Sequence, residues 1–261
     1  MNNTLLKGLA VLELLSRSAR PLGLTQIGKE LGMGKSNVHR LMQALVETRF
    51  VLRDEESGVY TPSIKLWELG SAVLGKLDLR RHAERQMESL MELTGESVHL
   101  SVLDGIEVVY VHKVDSESAV RAYTQIGGRV PAYCVATGKA QLAFAGELAL
   151  ESACDALEPH TENTITDRAA FLDDMRKVRE RGYAINRAEW RAGVWGIAAP
   201  IMDTRGFVIA AVGISGPASG FRKSVLSAWS DLVMSTAADI SDALGGGGHP
   251  GALKRLRLVG A

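Results

Sequence analysis

Apolar residues recur at helical spacing through the first fifty residues and predict three helices. The first is expected from about residue 5 to residue 17, because the breaker segment "RPLG" follows at 20–23. Its core-facing stripe is predicted on Leu5, Leu9, Leu12 and Leu15.

The second and third helices are separated by a short glycine turn. Thr25 is a candidate cap for the second helix, and Gly32 is expected to end it. Gly34 is placed as the N-cap of the third helix, with Met33 and Val38 as a hydrophobic staple around it. Two helices joined by such a turn form a helix-turn-helix. The third helix is predicted to bury Val38, Leu41, Met42 and Leu45.

The first two turns of the third helix are crowded with polar side chains. The buried stripe directs these side chains away from the core, where Arg suits guanine, Asn suits adenine and Lys suits phosphate. His39 fits a packing or solvent-exposed role as well as a DNA contact. The predicted DNA-binding residues are Thr25, Lys35, Ser36, Asn37, His39, Arg40 and Arg53.

"FVLRD", "EESG" and "VYTP" then predict a β-hairpin that turns at Gly58, so the helix-turn-helix is expected to be winged. The wing brings Arg53 toward the phosphate backbone, whereas the acids at 54–56 would repel phosphate at its tip. "GKELGMGKS" resembles a phosphate loop, but five residues separate Gly28 from Gly34 where that loop needs four. We therefore reject a nucleotide site there.

Charge is distributed unevenly along a chain whose formal net charge is zero. Residues 17–53 hold seven Lys and Arg against two Glu, which leaves a net charge of about +5 in that segment. Such asymmetry can indicate a nucleic-acid-binding end, and a solvated basic face is the alternative.

A helical segment with a weak point at 75–78 follows the hairpin. Its apolar residues include Ile64 and Trp67, and they either pack on the winged helix or pair this linker helix with its twin in a dimer. Helix-turn-helix dimers bind half-sites about one DNA turn apart.

From Glu96 the period changes to that of strands, beginning with the hairpin "SVHLSVLDGIEVVYVHKVD". Extended chain through 119–133, a helix in "VATGKAQLAFAG" and a helix that Thr166 caps are expected next. The strands "GIAAPIMD" and "FVIAAVGIS" and a last helix complete the pattern. The predicted fold class is α/β in the α+β sense, a mainly antiparallel sheet with helices on its faces.

Motifs for catalysis or metal binding are lacking. The spacing cannot place His99 or His112 beside Cys134 or Cys154, and there is no nucleophile elbow or metal-ligand spacing. We expect no cofactor and no metal. The segments "VPAYCVATGKA" and "EWRAGVWGIAAP" instead predict a pocket or an ordinary core, in which small residues leave space. The helix start at 135–138 offers N–H groups to a carboxylate. The aromatic walls are predicted to be Tyr123, Tyr133, Trp190 and Trp195.

Composition is that of an ordinary globular protein, at 46% hydrophobic and 23% charged residues among 261. Two cysteines are too few for a disulfide framework, and no apolar run approaches the roughly 20 residues that span a bilayer. We expect a cytoplasmic protein without a membrane partner.

Several blocks in this order resemble the IclR family of bacterial transcription regulators. They include "LLKGLAVLELL", "LTQIGKELGMGKSNVHRLMQAL", "RVPAYCVATGKA" and "RGYAINRAEWRAGVWGIAAPIMDTRGFVIAAVGISGP". The resemblance covers about residues 3–245 and implies a winged helix-turn-helix at 1–63 and a linker helix at 64–79. A GAF-like effector-binding domain at 80–245 and a flexible tail at 246–261 are expected to follow. It also implies homodimers or homotetramers on palindromic double-stranded DNA operators.

The resemblance further implies a small organic acid as the effector. Some members have an acid where Asn186 stands, a cysteine at Gly196 and a serine at Gly213, so the two glycines should enlarge the pocket. A larger, aromatic carboxylate is favoured. The implied effector-binding residues are Ala119, Ala122, Val130, Ala136, Thr137, Asn186, Val194, Gly196, Gly213 and Ser215.

The predicted function is thus a DNA-binding regulator, repressor or activator, whose operator binding responds to that acid. The principal rival is a small-molecule enzyme with an N-terminal interaction module. A structural chromatin-type binder, without operator preference or ligand response, is the second rival.

Overall fold

The protein, seen in a computed structural model, is described over residues 3–77, 79–118 and 124–245. It divides into two compact units between residues 77 and 78. Each unit has its own apolar core. The predicted tail at 246–261, Ala119, Ala122 and Tyr123 lie outside the described residues.

Three helices build the first unit: α1 (Asn3–Arg17), α2 (Leu24–Glu30) and α3 (Lys35–Glu47). The predicted α1 stripe is partly wrong, because Val11 and Leu15 are the buried residues whereas Leu5 and Leu9 are about half exposed. The first turns of α1 therefore present apolar surface to solvent.

The turn between α2 and α3 confirms the predicted helix-turn-helix. Gly32 adopts a positive φ of 62° just past α2, and Gly34 is the N-cap of α3. Gly28 is required as well, since a Cβ there would lie 2.8 Å from the Met33 carbonyl oxygen. Thr25 does not cap α2: Gly23 holds that position, and Thr25 is the second helical residue.

The wing consists of β1 (Val51–Arg53) and β2 (Tyr60–Pro62), paired antiparallel. An isolated bridge between Leu22 and Tyr60 extends the hairpin, which the sequence did not predict. Asp54 organises the turn, because its carboxylate accepts hydrogen bonds from the amides of Ser57 at 2.8 Å and Glu56 at 3.0 Å. These bonds, that of Ser57 first, hold the pKa of Asp54 below its usual value.

Arg49 sits between α3 and the wing with a positive φ of 62°, a conformation that favours glycine. Its amide donates to Val46 and that of Phe50 donates to Leu45, which is the Schellman pattern. The Arg49 carbonyl oxygen accepts from the Ser63 hydroxyl, just before α4 (Ile64–Leu77). The left-handed residue is thus held in place by backbone and side-chain bonds.

The second unit contains a six-stranded, fully antiparallel sheet, which confirms the predicted α+β class. In sheet order the strands are β5 (Arg129–Pro131), β4 (Glu107–Val114), β3 (Ser97–Asp104), β8 (Val208–Pro217), β7 (Val194–Met202) and β6 (Ala184–Arg187). The two predicted hairpins are β3–β4, which turns at Gly105, and β7–β8.

Helices cover both faces of this sheet. α5 (Leu79–Thr94) and α9 (Lys223–Ala243) pack on each other and on the central strands. The side chain of Ser101 on β3 contacts α6 (Ala136–Leu142), whereas that of His112 on β4 faces α5. His112 is paired with Leu100, the β3 residue that precedes Ser101. Because neighbours on a strand point to opposite faces, α5 and α6 lie on opposite sides.

Two further helices, α7 (Glu147–Asp155) and α8 (Arg168–Arg181), join α6 in one core cluster around Phe171. α7 and β6 were not predicted. The predicted cap Thr166 is wrong, since Asp167 is the N-cap and accepts from the Ala170 amide at 2.8 Å. Gly182 ends α8 with a φ of 84°, as expected.

None of the described helices combines the length and apolar character needed to cross a bilayer.

Candidate functional site

The outer side of α3 forms the first candidate site. Lys35, Ser36, His39 and Arg40 are exposed and, with Leu24 of α2, line a shallow open depression. Val38 and Met42 are fully buried on the opposite side, which fixes the direction of the polar side chains. Thr25, which follows Leu24 on α2, is exposed but does not line the depression.

Arg40 and Asn37 form a pair within α3. The Arg40 Nη2 atom donates to Asn37 Oδ1 at 2.8 Å. A guanidinium retained by a neighbouring amide loses fewer rotamers when it contacts a ligand. Asn37 is half-buried. The sequence predicted Asn37 and Arg40 as two separate DNA contacts, whereas the structure joins them through this hydrogen bond.

The start of α3 carries no acid in its first turn, and its N-cap Gly34 has no side chain to accept from the first amides. The first intrahelical bond runs from the Asn37 amide to the Gly34 carbonyl at 2.9 Å. The amides of Lys35 and Ser36 therefore face outward, as helix N-termini that bind phosphate do.

Arg53 ends the first wing strand and is about half exposed. Its Nη1 atom lies 3.8 Å from Glu55 Oε2 at the wing tip. A surface pair of this length is weak, so Glu55 does not immobilise the guanidinium.

A cavity of about 220 Å³ between the sheet and α6 forms the second candidate site. Eight of the ten residues that the resemblance implied line it, and the other two lie outside the described residues. Of the predicted aromatic walls, Trp190 lines the cavity, while Tyr133 and Trp195 do not. The eight are Val130, Ala136, Thr137, Asn186, Val194, Gly196, Gly213 and Ser215.

His99 is a cavity residue that the sequence analysis missed. Its ring is buried, with Nε2 2.6 Å from Ser215 Oγ and Nδ1 3.0 Å from Thr124 Oγ1. The Tyr110 ring lies 5.6 Å away at 60°. Burial lowers the pKa of His99 to about 4, so the imidazole is neutral near pH 7.

Thr137 faces the same space with an unsatisfied hydroxyl. The side-chain oxygen is buried and makes no hydrogen bond of good geometry to any of the described residues. Burial raises the pKa of Tyr110 to about 12, and a weak hydrogen bond with the Thr137 hydroxyl partly opposes that rise. A buried hydroxyl without a partner costs free energy that a bound polar group can recover.

Positive charge is the only formal charge on the described cavity lining, which contains Arg129 and Arg191 and no Asp or Glu. Arg129 is ion-paired with Asp104 and with Glu107, the latter at 3.2 Å. The charge of Arg191 reaches the Tyr110 hydroxyl. Because two acids already neutralise Arg129, it is mainly Arg191 that makes the cavity favour an anion over a cation.

The two pocket glycines have different effects, which corrects the expectation that both enlarge the cavity. A Cβ at Gly196 would lie 3.0 Å from the Ile214 carbonyl oxygen and 3.5 Å from the Cβ atoms of Ala136 and Ser215, so it would fit with a small adjustment and its absence leaves some space. A Cβ at Gly213 would overlap the Ile197 carbonyl oxygen of the adjacent strand and lie 2.8 Å from Ala198 Cα. Gly213 therefore permits close approach of β7 and β8.

A buried ion pair ties the two sides of the cavity together. Lys139 of α6, only 1% exposed, donates to both carboxylate oxygens of Glu189 at 2.9 Å and lies 2.7 Å from Asp174 Oδ2. The Glu189 amide in turn donates to Asn186 Oδ1 at 2.8 Å. The ion pair holds the 186–191 turn, which carries Trp190, against the helix that carries Thr137.

The loop before α8 supports the same turn from outside. Thr161 Oγ1 donates to the Ala188 carbonyl at 2.7 Å, and Thr164 Oγ1 donates to that of Glu189 at 2.6 Å. The His160 ring meets Trp190 edge to face at 4.5 Å. The position of Trp190 is thus set by contacts on both sides.

The cysteines offer no nucleophile. Burial raises the pKa of Cys134 to about 12 and raises that of Cys154 as well, so both remain thiols. Within the part of the chain that the structure describes, no three His, Cys, Asp or Glu residues are grouped to hold a metal ion.

A winged helix-turn-helix with an outward-facing basic helix, together with a second unit that contains a ligand-sized cavity, defines a ligand-responsive transcription regulator. Residues 4–55 match the IclR helix-turn-helix domain, and residues 71–242 match the bacterial transcriptional regulator IclR C-terminal domain. The chain belongs to the IclR family. It is a transcriptional regulator with a DNA-binding and an effector-binding domain, and not an enzyme.

Similar proteins cover almost the whole chain. The HTH-type transcriptional regulator KdgR of Escherichia coli (strain K12) is 35% identical over 250 residues, 95% of each protein. The Thermotoga maritima IclR crystal structure has a TM-score of 0.78 at 35% identity and covers 94% of this chain and 100% of its own. An IclR homolog from Microbacterium hydrocarbonoxydans, solved with 4-hydroxybenzoate, has a TM-score of 0.82 at 25% identity, over 93% and 99%.

Proposed function

We propose that this regulator binds a palindromic operator in the cytoplasm as a homodimer or homotetramer and releases or engages it when a small organic acid enters the cavity. We infer the ligand class from the cavity lining, which has two arginines and no carboxylate among its described residues. A small anion is therefore preferred to a cation.

The cavity volume limits the size of the acid. A cavity of roughly 150 Å³ can hold one benzene ring, and this one measures about 220 Å³. A single-ring aromatic carboxylate or an aliphatic acid of similar size fits. The 4-hydroxybenzoate complex of the Microbacterium homolog supports a ligand of this kind.

Operator reading is assigned to α3, with Lys35, Ser36, Asn37, His39 and Arg40 entering the major groove. Thr25 of α2 and Arg53 of the wing are assigned to the flanking backbone. The paired Arg40 and Asn37 are the side chains best suited to base edges, since Arg recognises guanine and Asn recognises adenine.

Arg40→Ala is expected to weaken specific operator binding by about 1–3 kcal/mol and to relax sequence preference at one base pair. Fluorescence anisotropy with the operator and with single-base variants measures both effects. Arg53→Ala is the matched control, because a backbone contact should weaken binding about equally on all sequences. Uniform weakening by Arg40→Ala would make Arg40 a phosphate contact.

Dimer formation is assigned to the apolar surface of the first unit. Leu5 and Leu9 of α1 and Ile64 and Trp67 of α4 are 48–68% exposed, which is a large apolar surface for one small unit. Pairing these helices between two chains buries that surface and sets the spacing of the two α3 helices.

Ile64→Asp combined with Trp67→Asp is therefore expected to shift the protein toward monomers and to lower operator affinity by tenfold or more. Sedimentation velocity measures the assembly state. Leu148→Asp on α7 is the control, since Leu148 is 86% exposed but lies in the other unit. An unchanged assembly state in the double variant would refute this interface.

A thermal-shift screen of organic acids tests the ligand class. A ligand that binds only the folded state stabilises it by about 2.7 kcal/mol at 100 times its Kd. Single-ring acids and aliphatic acids of similar size should raise the melting temperature, whereas matched amines should not. A response to amines alone would contradict the proposal.

A further inference from the structure

The polar groups at the sheet side of the cavity form a continuous array. His99 stands between two hydroxyls, with Ser215 Oγ 2.6 Å from Nε2 and Thr124 Oγ1 3.0 Å from Nδ1. Ser215 and Thr124 both line the cavity, so the array is open to a ligand. Lys113 and Asp115 act on the ring with opposing effects.

A neutral imidazole has one N–H and one lone pair, and this fixes what Ser215 can offer. When Nε2 carries the proton, it donates to Ser215 Oγ, Thr124 donates to Nδ1, and Ser215 keeps its own proton for a ligand oxygen. When Nδ1 carries the proton, Ser215 donates to Nε2 and can only accept from a ligand hydroxyl. A ligand hydroxyl fits either arrangement and a ligand carbonyl fits the first, whereas a C–H group fits neither.

The opposite side of the cavity also contains a hydroxyl that a ligand oxygen can hydrogen-bond. The Thr137 hydroxyl is buried and, among the residues that the structure describes, has only a weak interaction with the Tyr110 hydroxyl. A Cβ at Gly196 would contact both Ala136 and Ser215 at 3.5 Å, which places the Ser215 side of the cavity beside the start of α6. Oxygens of one ligand can therefore meet hydroxyls on both sides of the cavity, and the positive charge of Arg191, which also lines it, favours a carboxylate.

We propose that His99 is a specificity-determining residue which, through Ser215, selects organic acids with a second oxygen, hydroxyl or carbonyl, over acids of equal size without one. The inference rests on the proposed function, because it requires that an acid bind in this cavity. His99 does not itself need to touch the ligand. It sets the hydrogen-bonding direction of Ser215.

The test compares 4-hydroxybenzoate with benzoate by isothermal titration calorimetry. The wild-type protein is expected to bind 4-hydroxybenzoate at least about tenfold more tightly, since benzoate leaves the hydroxyls without a partner. In His99→Phe the ratio of the two affinities should fall to about two or less. A variant that was only structurally damaged would weaken both acids and preserve the ratio.

Three further variants keep the result interpretable if His99→Phe folds poorly. Ser215→Ala should also remove the preference, and His99→Gln, which can still hydrogen-bond Ser215, should retain part of it. His112→Phe is the control, because His112 is also buried on the sheet but lies 4.0 Å from Glu84 on the α5 side. It should preserve the wild-type ratio.

Equal wild-type affinities, a full preference in His99→Phe, or binding of neither acid would each overturn the inference. Operator binding, measured on the same preparations, separates this failure from failure of the regulator proposal. A protein that binds its operator and responds to another acid would leave the proposed function standing while removing the role of His99.

Discussion

Replacing Lys139 with Met is expected to lower the free energy of unfolding of the second unit by about 3–5 kcal/mol. Lys139 is 1% exposed, and its ammonium group is the positive partner of Glu189, which is 5% exposed, and of Asp174. The substitution keeps the volume of the side chain nearly constant. Its effect therefore comes mainly from the buried Glu189 carboxylate, which loses its ammonium partner, whereas Asp174 keeps Arg181 at 3.9 Å.

Urea denaturation followed by circular dichroism measures the loss. Lys177→Met is the matched control on α8, because Lys177 is ion-paired with Asp173 but both side chains are about half exposed. An exposed pair contributes about 0–1 kcal/mol, so the control should be nearly neutral. A similar, small loss in both variants would show that the Lys139 pair is not a buried support.

The same substitution should weaken the effector response in protein that remains folded. Lys139 holds the turn with Asn186 and Trp190 against α6, which begins with Ala136 and Thr137. Loss of the ion pair lets these two sides of the cavity separate. Affinity for the acid should therefore fall more than affinity for the operator.

Gly138→Ala is the second large effect, with an expected loss of about 3 kcal/mol of stability. A Cβ at Gly138 would overlap the carbonyl oxygen and the Cα of Ala132, which lie in the 3-10 turn that precedes α6. Backbone cannot move aside as a flexible side chain can. Either the turn or the helix must shift, and the helix carries Thr137 into the cavity.

Gly8→Ala provides the control for Gly138→Ala. Gly8 is also helical, but a Cβ there meets nothing closer than Leu41 Cδ2 at 4.0 Å. Alanine has the higher helix propensity, so this control should be neutral or stabilising by up to about 1 kcal/mol. Differential scanning calorimetry compares the two variants. A neutral Gly138→Ala would mean that the approach of α6 to the turn is not tight in solution.

Local patterns predicted the DNA-binding unit well, because its elements are close in sequence. Apolar spacing and glycine placement sufficed for the helix-turn-helix and the wing. The errors concern which side chains are buried, because burial depends on neighbours in space that are distant in sequence. Leu5 and Leu9 have the correct helical spacing, yet the core of this unit contacts α1 through Val11 and Leu15.

Residue chemistry suggested a pocket at the helix start 135–138 and at Trp190, but most of the other lining residues were named only through the family resemblance. His99 and Ser215 are 116 residues apart and meet because β3 pairs with β8, a register that no local pattern encodes. Lys139 and Glu189, fifty residues apart, meet for a similar reason. The available signals were a histidine within the apolar strand "SVHLSVL" and a lysine within the apolar helix "VATGKAQLAFAG".

The most direct test of the whole account is operator affinity with and without acid, in the wild type and in Ser215→Leu. The operator is first selected from random duplexes, and anisotropy then gives both affinities. We predict one preferred palindrome, a 5- to 150-fold change with the acid in the wild type, and unchanged affinity without an acid response in Ser215→Leu. The absence of any preferred duplex, or a full acid response in Ser215→Leu, would contradict the account.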